Sequence, residues 1–295
     1  MLKYFDEGAK GRLCALLLGG FDGFHRGHER LLEAARETGL PVGLTALSGG
    51  KGGELFPLPE REDIFRALGF AFVDEHILEG AFRETSAEDF LKDLFSRIPA
   101  KAVFCGEDFR FGKDASGTPA LLKERAPCPV TVLPLAAKDG EKIAVSRIKQ
   151  LLSEGEIEKV NALLCTPYFV RGEAEHGRAV GRTYGFPTAN LHLPAGKFPL
   201  KEGVYAARAR LGDGKDYPAI VNFGPCPTFG VEERRTEAHL VGFEGDLYGE
   251  KVTLYPVRFL RPIRKFQSKE ALEEQLEGDR AAALELFGAQ KEKDL

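Results

Sequence analysis

The chain has no tryptophan, no cysteine pair at C-x-x-C spacing, no apolar run of membrane-spanning length and no excess of basic charge. The missing tryptophan leaves phenylalanine (22 residues) to supply most of the aromatic content and carries no functional message. Forty-one basic against 45 acidic residues give a net charge of −4, which argues against a general nucleic-acid binder, since such proteins carry a basic excess. The five cysteines, Cys14, Cys105, Cys128, Cys165 and Cys226, are scattered, which excludes a zinc knuckle or a thioredoxin-like motif and fits a reducing compartment. The first residues lack the pattern of a secretory signal, and no stretch reaches the length of a transmembrane helix. The expectation is a cytoplasmic protein with neither a membrane nor a nucleic acid as partner. At 295 residues, two domains are expected.

Hydrophobic periodicity divides the chain into two styles. In the first half, apolar strands (13–18, 42–47, 102–105, 130–133) alternate with helical patterns (29–37, 60–68, 87–97), with extended segments at 70–73 and 76–78. Ser86 can cap the helix that begins at Ala87, with Asp89 three residues on. This β-α-β-α rhythm predicts a parallel sheet covered by helices. Helices over 147–152 and 157–164 close the first half. After that, short strands (168–173, 204–210, 219–223, 236–243, 251–260), separated by Gly/Pro/Asp turns, predict a small all-β barrel with a helix over 269–287 at its end. The boundary is expected near Cys165-Thr166-Pro167, giving domains 1–165 and 166–290.

The densest chemistry is at the first strand–helix junction. Gly19-Gly20-Phe21-Asp22-Gly23 follows the apolar strand, and His25-Arg26-Gly27-His28 opens the helix. Strand, glycine turn and helix N-terminus together offer backbone N–H groups to a phosphate, and Gly27 lets a nucleotide approach the backbone closely. Two imidazoles beside such a turn suit nucleotidyl transfer, in which charge is stabilised at the α-phosphorus and pyrophosphate leaves. Ordinary surface histidines remain an alternative. A zinc site is a weaker one, because no nearby third and fourth ligands are apparent. Gly49-Gly50-Lys51-Gly52-Gly53 imitates a phosphate loop, but Gly follows Lys51 where the Walker pattern needs Ser or Thr, so it reads as a surface loop.

Two further constellations lie in the second half. In Gly181-Arg182-Thr183-Tyr184-Gly185-Phe186-Pro187-Thr188-Ala189-Asn190, an extended chain after Pro187 would turn Thr188 and Asn190 to one side, offering hard oxygen donors to a magnesium ion carried on nucleotide phosphates. A plain turn is the competing reading. Glu237 and His239 alternate with Ala238 and Leu240, so they share a strand face. There a carboxylate could deprotonate an attacking hydroxyl, or simply sit in solvent on an edge strand.

Taken in order, these segments resemble the bacterial bifunctional riboflavin kinase/FAD synthetases along essentially the whole chain. The resemblance in the first half is carried by residues 19–28, by Gly106-Glu107-Asp108-Phe109-Arg110-Phe111-Gly112 and by Ile143-Ala144-Val145-Ser146-Arg147-Ile148-Lys149. In the second half it is carried by 185–190, Gly203-Val204-Tyr205, Asn222-Phe223-Gly224 with Pro227-Thr228, Glu237-Ala238-His239-Leu240 and Gly245-Asp246-Leu247-Tyr248-Gly249. The resemblance implies an α/β nucleotidyltransferase-like (Rossmann-like) domain followed by an all-β riboflavin-kinase barrel with a terminal helix. It implies that riboflavin and ATP give FMN and ADP in the barrel, and that FMN and ATP give FAD and pyrophosphate in the α/β domain. By that likeness Glu237, His25 and His28 are the candidate catalytic residues. ATP would be bound by Gly19, Gly20, Phe21, Asp22, Gly27, Asp108, Ser146, Arg147, Lys149, Gly181 and Gly185, and flavin by Phe109, Phe111 and Arg261. Thr188 and Asn190 would hold Mg2+.

The chain departs from the family pattern at Gly20, where an Asn is usual, at Thr45-Ala46-Leu47-Ser48, where an aromatic-x-Pro-His-Pro loop is usual, and at Ala144, Val145 and Lys149, where two hydroxyls and an Arg are usual. Those changes fall in one module and leave open a riboflavin kinase with a weak or inactive nucleotidyltransferase domain. A flavin-binding regulator and a transferase with another acceptor are the remaining alternatives.

Overall fold

The computed structural model describes residues 2–49, 52–175, 188–226 and 231–291. They form two compact units. Unit 1 comprises residues 1–148, 163–166 and 196–198, and unit 2 comprises 149–162, 167–195 and 199–295.

Unit 1 runs β1 (Leu2–Tyr4), β2 (Cys14–Gly19), α1 (Arg26–Arg36), β3 (Val42–Ser48), α2 (Leu58–Ala67), β4 (Phe72–Ile77), α3 (Gly80–Arg83), α4 (Ala87–Arg97), β5 (Ala100–Gly106), α5 (Pro119–Arg125), β6 (Val130–Leu133) and a hairpin of β7 (Ala137–Lys138) and β8 (Glu141–Lys142). The sheet order is β1-β4-β3-β2-β5-β6; all neighbours are parallel except β1, which pairs antiparallel with β4. β2 is central, and Cys14 through Leu18 are all buried, as expected of a strand covered on both faces. Strand order reverses between β2 and β5, so the carboxyl ends of these two strands, Gly19 and Gly106, flank the topological switch point where ligands gather in such sheets. Ser86 caps α4, its hydroxyl accepting the Asp89 N–H at 3.0 Å, as the sequence predicts.

β4 is one strand where the apolar pattern predicts two extended pieces. Asp74 and Glu75 interrupt the pattern, yet both are buried, because each finds partners inside the fold. Asp74 takes hydrogen bonds from Arg97 (3.0 Å to each carboxylate oxygen) and lies 2.8 Å from His76 Nε2, while Glu75 is bonded to Arg61. α5 also escaped the periodicity reading. It is only seven residues long, although Thr118 caps it and Pro119 opens it. The β7–β8 hairpin turns through Asp139-Gly140 with positive φ at both (55° and 77°), the conformation an Asp-Gly pair favours.

In the chain that follows, α6 (Val145–Glu154) straddles the two ranges, and α7 (Ile157–Leu163) falls almost wholly in unit 2. Unit 2 then builds a closed antiparallel barrel in the order β10-β13-β12-β11-β14-β9, from β9 (Val170–Glu175), β10 (Ala189–His192), β11 (Gly203–Arg210), β12 (Asp216–Cys226), β13 (Val231–Leu240) and β14 (Lys251–Arg261). Closure leaves no open sheet edge. Alternate residues such as Tyr205, Val221 and Ala238 lie in register and are almost fully buried. α8 (Lys269–Lys291) packs Ala283 against Val204, Ala206 and Ile220 on the opposite face of β11 and β12. The α/β sheet with its helices and the small barrel with its terminal helix are the architecture the sequence predicts.

The Asp74 cluster generates a pH prediction. Burial alone would raise this carboxyl, but the hydrogen bonds and charge of His76 and Arg97 outweigh it and hold the group down to about 2. Its folded pKa is therefore below the unfolded value of ~3.9. The stabilisation is complete above that value and is lost as pH falls toward 2. Asp74→Asn is expected to lower unfolding free energy by on the order of 2 kcal/mol at pH 7, with the difference shrinking below pH 4. Urea melts of both proteins from pH 7 to pH 3 check this; a difference that does not change with pH would contradict it.

Candidate active site

The turn after β2 is shaped by small residues and one strained large one. Phe21 adopts a left-handed φ of 46° while fully buried, stacking on Phe24 at 6.1 Å and tilting against the His28 ring at 4.7 Å. A Cβ on Gly19 would lie 2.9 Å from the Phe21 ring, so this strand end needs glycine. Gly27, in the first turn of α1, has the His25 ring 3.0 Å from where its Cβ would be. A side chain there would have to displace the imidazole.

His25 is the N-cap of α1, and its Nδ1 accepts the His28 N–H at 3.2 Å. A neutral His25 thus keeps its proton on Nε2. His28 Nδ1 lies 3.1 Å from the Gly23 carbonyl, which can only accept, so His28 carries its proton on Nδ1 and leaves Nε2 with a lone pair. The two rings stack with centroids 3.6 Å apart. Burial pushes the His25 imidazole down to about 4. Burial, and then the neighbouring His25, hold His28 well below the usual imidazole range. Both are neutral at pH 7.

The two histidines open onto a cavity of about 850 Å³ at the sheet's switch point, a volume suited to a nucleotide-sized ligand. Of the sequence-predicted residues, Gly19, Gly20, Phe21, His25, Gly27, His28, Asp108, Phe109, Phe111 and Ser146 line it. Asp22, Arg147 and Lys149 do not line it. Asp22 instead accepts the Leu55 N–H at 2.7 Å, and Arg147 donates to the Lys138 and Glu141 carbonyls at 3.1 and 3.2 Å, bracing the β7–β8 hairpin. Three cations that sequence reasoning missed also line it: Arg83, Arg110 and Lys142. Lys142 is paired with Asp108 at 2.7 Å. Arg110 stood within a motif that was read and Lys142 immediately before one, so a search for cations flanking the two motifs would have found both. Ala144 and Val145 line the cavity without hydroxyls, and a Cβ at Gly20 would meet only the Leu47 carbonyl, at 3.6 Å.

In the barrel, register brings three polar residues into one row across neighbouring strands. Glu237 of β13 pairs directly with Asn190 of β10 on one side and with Asn222 of β12 on the other. Residues directly opposite one another share a sheet face, so the carboxylate is flanked by two amides. All three are half-buried, and Asn190 Oδ1 is buried with no hydrogen-bond partner among the described residues. Asn222 is the member that sequence reasoning quoted in a motif but did not name as a site residue; strand alternation alone could not supply the pairing. Thr188 precedes β10 by one residue. Gly181 and Gly185 lie outside the described residues, as do all of residues 176–187. Arg261 is held by Asp279 of α8 through bonds of 2.8–3.2 Å and lies 5.5 Å from the Phe266 ring.

A phosphate-turn cavity at the switch point of a parallel sheet, joined in one chain to a closed barrel bearing a carboxylate between two amides, defines a two-site transferase acting on phosphate groups. Comparison with known proteins makes this specific. Residues 9–147 match the FAD synthetase family and residues 164–287 match the riboflavin kinase family. The chain is 32% identical over 297 residues to the bifunctional riboflavin kinase/FMN adenylyltransferase of Escherichia coli K12, covering 94% of each, and 30% identical to that of Bacillus subtilis, covering 96% of this chain and 94% of the relative. It is also 30% identical to the trifunctional protein RibF/MnmA of Mycoplasmoides gallisepticum, of whose length it spans 40%. A crystal structure from Streptococcus pneumoniae, described as a macrolide-efflux protein, shares the fold with a TM-score of 0.84 and 29% identity over 93% of this chain and 94% of that one. Among the described residues here, no helix is long and apolar enough to cross a membrane.

The chain belongs to the bifunctional riboflavin kinase/FMN adenylyltransferase family. It phosphorylates riboflavin with ATP to FMN and adenylylates FMN with ATP to FAD and pyrophosphate.

The depressed His25 pKa yields a second prediction. The unfolded imidazole titrates near ~6.5. Between that value and about 4 the unfolded chain binds a proton that the folded chain does not. Stability is therefore unaffected above 6.5 and falls as pH drops through the window. NMR of the His25 Cε1 proton is expected to show a midpoint near 4, and His25→Gln should flatten the loss of stability between pH 6.5 and 4. A midpoint above 6 would contradict the buried, stacked geometry.

Proposed function

We propose that the two reactions are divided between residues 1–165, which carry out adenylyl transfer, and 166–290, which carry out phosphorylation. The observation that carries this reading is the pair of stacked neutral imidazoles opening onto the switch-point cavity. Bound there, ATP would set its phosphates against the N-terminus of α1 and the turn Gly19-Gly20-Phe21, with Gly27 allowing close approach. FMN would lie along the wall that includes Phe109 and Phe111. Its phosphate oxygen attacks the α-phosphorus in line, the bond to the β-phosphate oxygen breaks, and pyrophosphate leaves without a covalent enzyme intermediate. His25, with its proton on Nε2, donates to a phosphate oxygen. His28 holds a lone pair on Nε2 that can take up a proton as negative charge gathers, because an adjacent polyphosphate favours the imidazolium. Ser146 and the cavity cations Arg110 and Lys142 supplement these contacts where Gly20, Ala144 and Val145 offer none.

In the barrel, Glu237 accepts the proton of the ribityl 5′-hydroxyl as that oxygen attacks the γ-phosphorus of ATP, and ADP leaves. The register row Asn190–Glu237–Asn222 supports this role. Mg2+ fits the donor set: Asn190 Oδ1 is a hard oxygen that is buried and lacks a hydrogen-bond partner among the described residues, and Thr188 is two residues before it. When bound there, the ion would neutralise negative charge on the transferring phosphate as a Lewis acid. Riboflavin, FMN, FAD, ATP and ADP are the partners; a cytoplasmic setting without a nucleic-acid partner follows from the composition argument.

Substitution separates the two sites. Glu237→Gln is expected to lower FMN formation from riboflavin by about 10²–10⁴-fold while FAD formation from supplied FMN persists. His28→Asn is expected to do the reverse, lowering FAD formation by about 10²–10³-fold. Steady-state kinetics of both reactions on each variant check this. Loss of both activities together in either variant, with the fold intact, would contradict the division.

A further inference from the structure

The turn that carries the two histidines does not stand alone. Its Asp22 carboxylate accepts the Leu55 N–H at 2.7 Å. Gly23, whose carbonyl fixes the His28 proton, packs so closely on Leu55 and Phe56 that a Cβ there would lie 3.1 Å from Leu55 Cδ1 and 3.5 Å from the Phe56 ring. Leu55 and Phe56 are both fully buried. The 54–56 segment is thus the floor of the phosphate turn.

That floor is held by a residue from far along the chain. Residues 196–198 belong to unit 1. Their backbone brackets Glu54: the Glu54 N–H donates to the Gly196 carbonyl at 2.8 Å, and the Phe198 N–H donates to the Glu54 carbonyl at 2.6 Å. Between them, the Lys197 side chain is 4% exposed. It donates to the Leu55 carbonyl at 3.1 Å, pairs with the buried Glu60 carboxylate at the start of α2 and lies 4.8 Å from the Phe56 ring centroid. A buried ammonium is costly unless it is paired and hydrogen-bonded, and here its partners are the two residues that form the floor and the helix that follows it. The Leu55 backbone is gripped on both sides of its Cα, its carbonyl by Lys197 and its N–H by Asp22. Through the packing of Leu55 and Phe56 on Gly23, the position of Lys197 bears on the carbonyl that orients His28.

We infer that Lys197, although it lies in the riboflavin kinase part of the sequence, is a positioning residue for adenylyl transfer: it fixes the 54–56 floor and thereby the Asp22–His28 turn. The inference rests on the proposed role of His28, and it assigns a function to a side chain that does not line the cavity.

The test uses the full chain. Lys197→Met should lower kcat for FAD formation at least tenfold while riboflavin phosphorylation by the same preparation stays within twofold. Because Lys197→Met leaves Glu60 buried without its cation, a stability loss is expected in the single variant. The double variant Lys197→Met/Glu60→Gln removes both charges and should recover much of the melting temperature. It still lacks the bond to the Leu55 carbonyl, so its FAD formation should stay depressed. Lys197→Arg, which keeps a donor and a charge, should retain more FAD formation than Lys197→Met. Three results would each overturn the inference: FAD formation within twofold of wild type in Lys197→Met, FAD formation that recovers in step with melting temperature in the double variant, or an equal fall in both activities. His28→Asn assayed in parallel separates the two levels. If it kept full FAD formation, the role of the turn would fail and the inference with it. If it lost FAD formation while Lys197→Met kept it, the inference alone would fail.

Discussion

Two imidazoles buried face to face at the start of one helix are the constraint around which the α/β unit is arranged. At 3.6 Å between centroids and largely out of water, His25 and His28 cannot readily both carry charge, and the His28 N–H aimed at His25 Nδ1 suits a neutral His25 ring. The His28 N–H is spent on His25, the Gly23 carbonyl is spent on His28, and the turn between strand and helix has its length and its left-handed Phe21 because it must deliver those two groups. The same neutrality suits the chemistry. On the proposed reading, a polyphosphate entering the cavity would find an Nε2–H donor on one ring and a proton-accepting nitrogen on the other, and its own charge would draw a proton onto the site when charge has to be stabilised. A permanently charged pair would bind ground-state phosphate tightly and gain less in the transition state.

The barrel solves its problem by register. A carboxylate on an exposed strand face has no chemical direction, but hydrogen-bonded closure puts Glu237 between Asn190 and Asn222, one residue from each neighbouring strand. Shifting either strand by one residue would turn the amides to the interior, where Tyr205, Val221 and Ala238 are packed. The buried apolar alternation therefore fixes the polar row as firmly as it fixes the core, and α8 holds the row from the same side through Ala283 on Ile220 and Val204 and through Asp279 on Arg261.

Most of this architecture was legible in the sequence where a single strong signal dominated. The apolar run of β2, the Ser86 cap and the Gly-punctuated barrel strands all read directly. β4 read as two pieces because Asp74 and Glu75 look like solvent residues until Arg97, His76 and Arg61 are brought to them from elsewhere in the chain. The candidate site divides in the same manner. Among residues bunched in motifs, Gly19, Gly20, Phe21, His25, Gly27 and His28 line one cavity. Asp22, Arg147 and Arg261 sit in or near motifs, yet the fold gives each a backbone or ion-pair partner. Conversely, Asn222 and Lys197 owe their positions to strand pairing and long-range contacts, which no spacing along the chain reveals.

The departures from the family pattern fall mostly in the first half, with Phe223 and Pro262-Ile263 the lesser ones in the barrel. Gly20, Ala144 and Val145 remove potential donors from the cavity wall, while the histidines, Ser146, Arg110 and Lys142 remain there. The central claim is that one chain still performs both steps. Chromatographic product analysis of the purified protein tests it most directly, with Mg-ATP and riboflavin in one reaction and Mg-ATP and FMN in another. The account predicts FMN in the first and FAD in the second. FMN in the first with no FAD in the second would contradict it, leaving a riboflavin kinase that carries a silent nucleotidyltransferase fold.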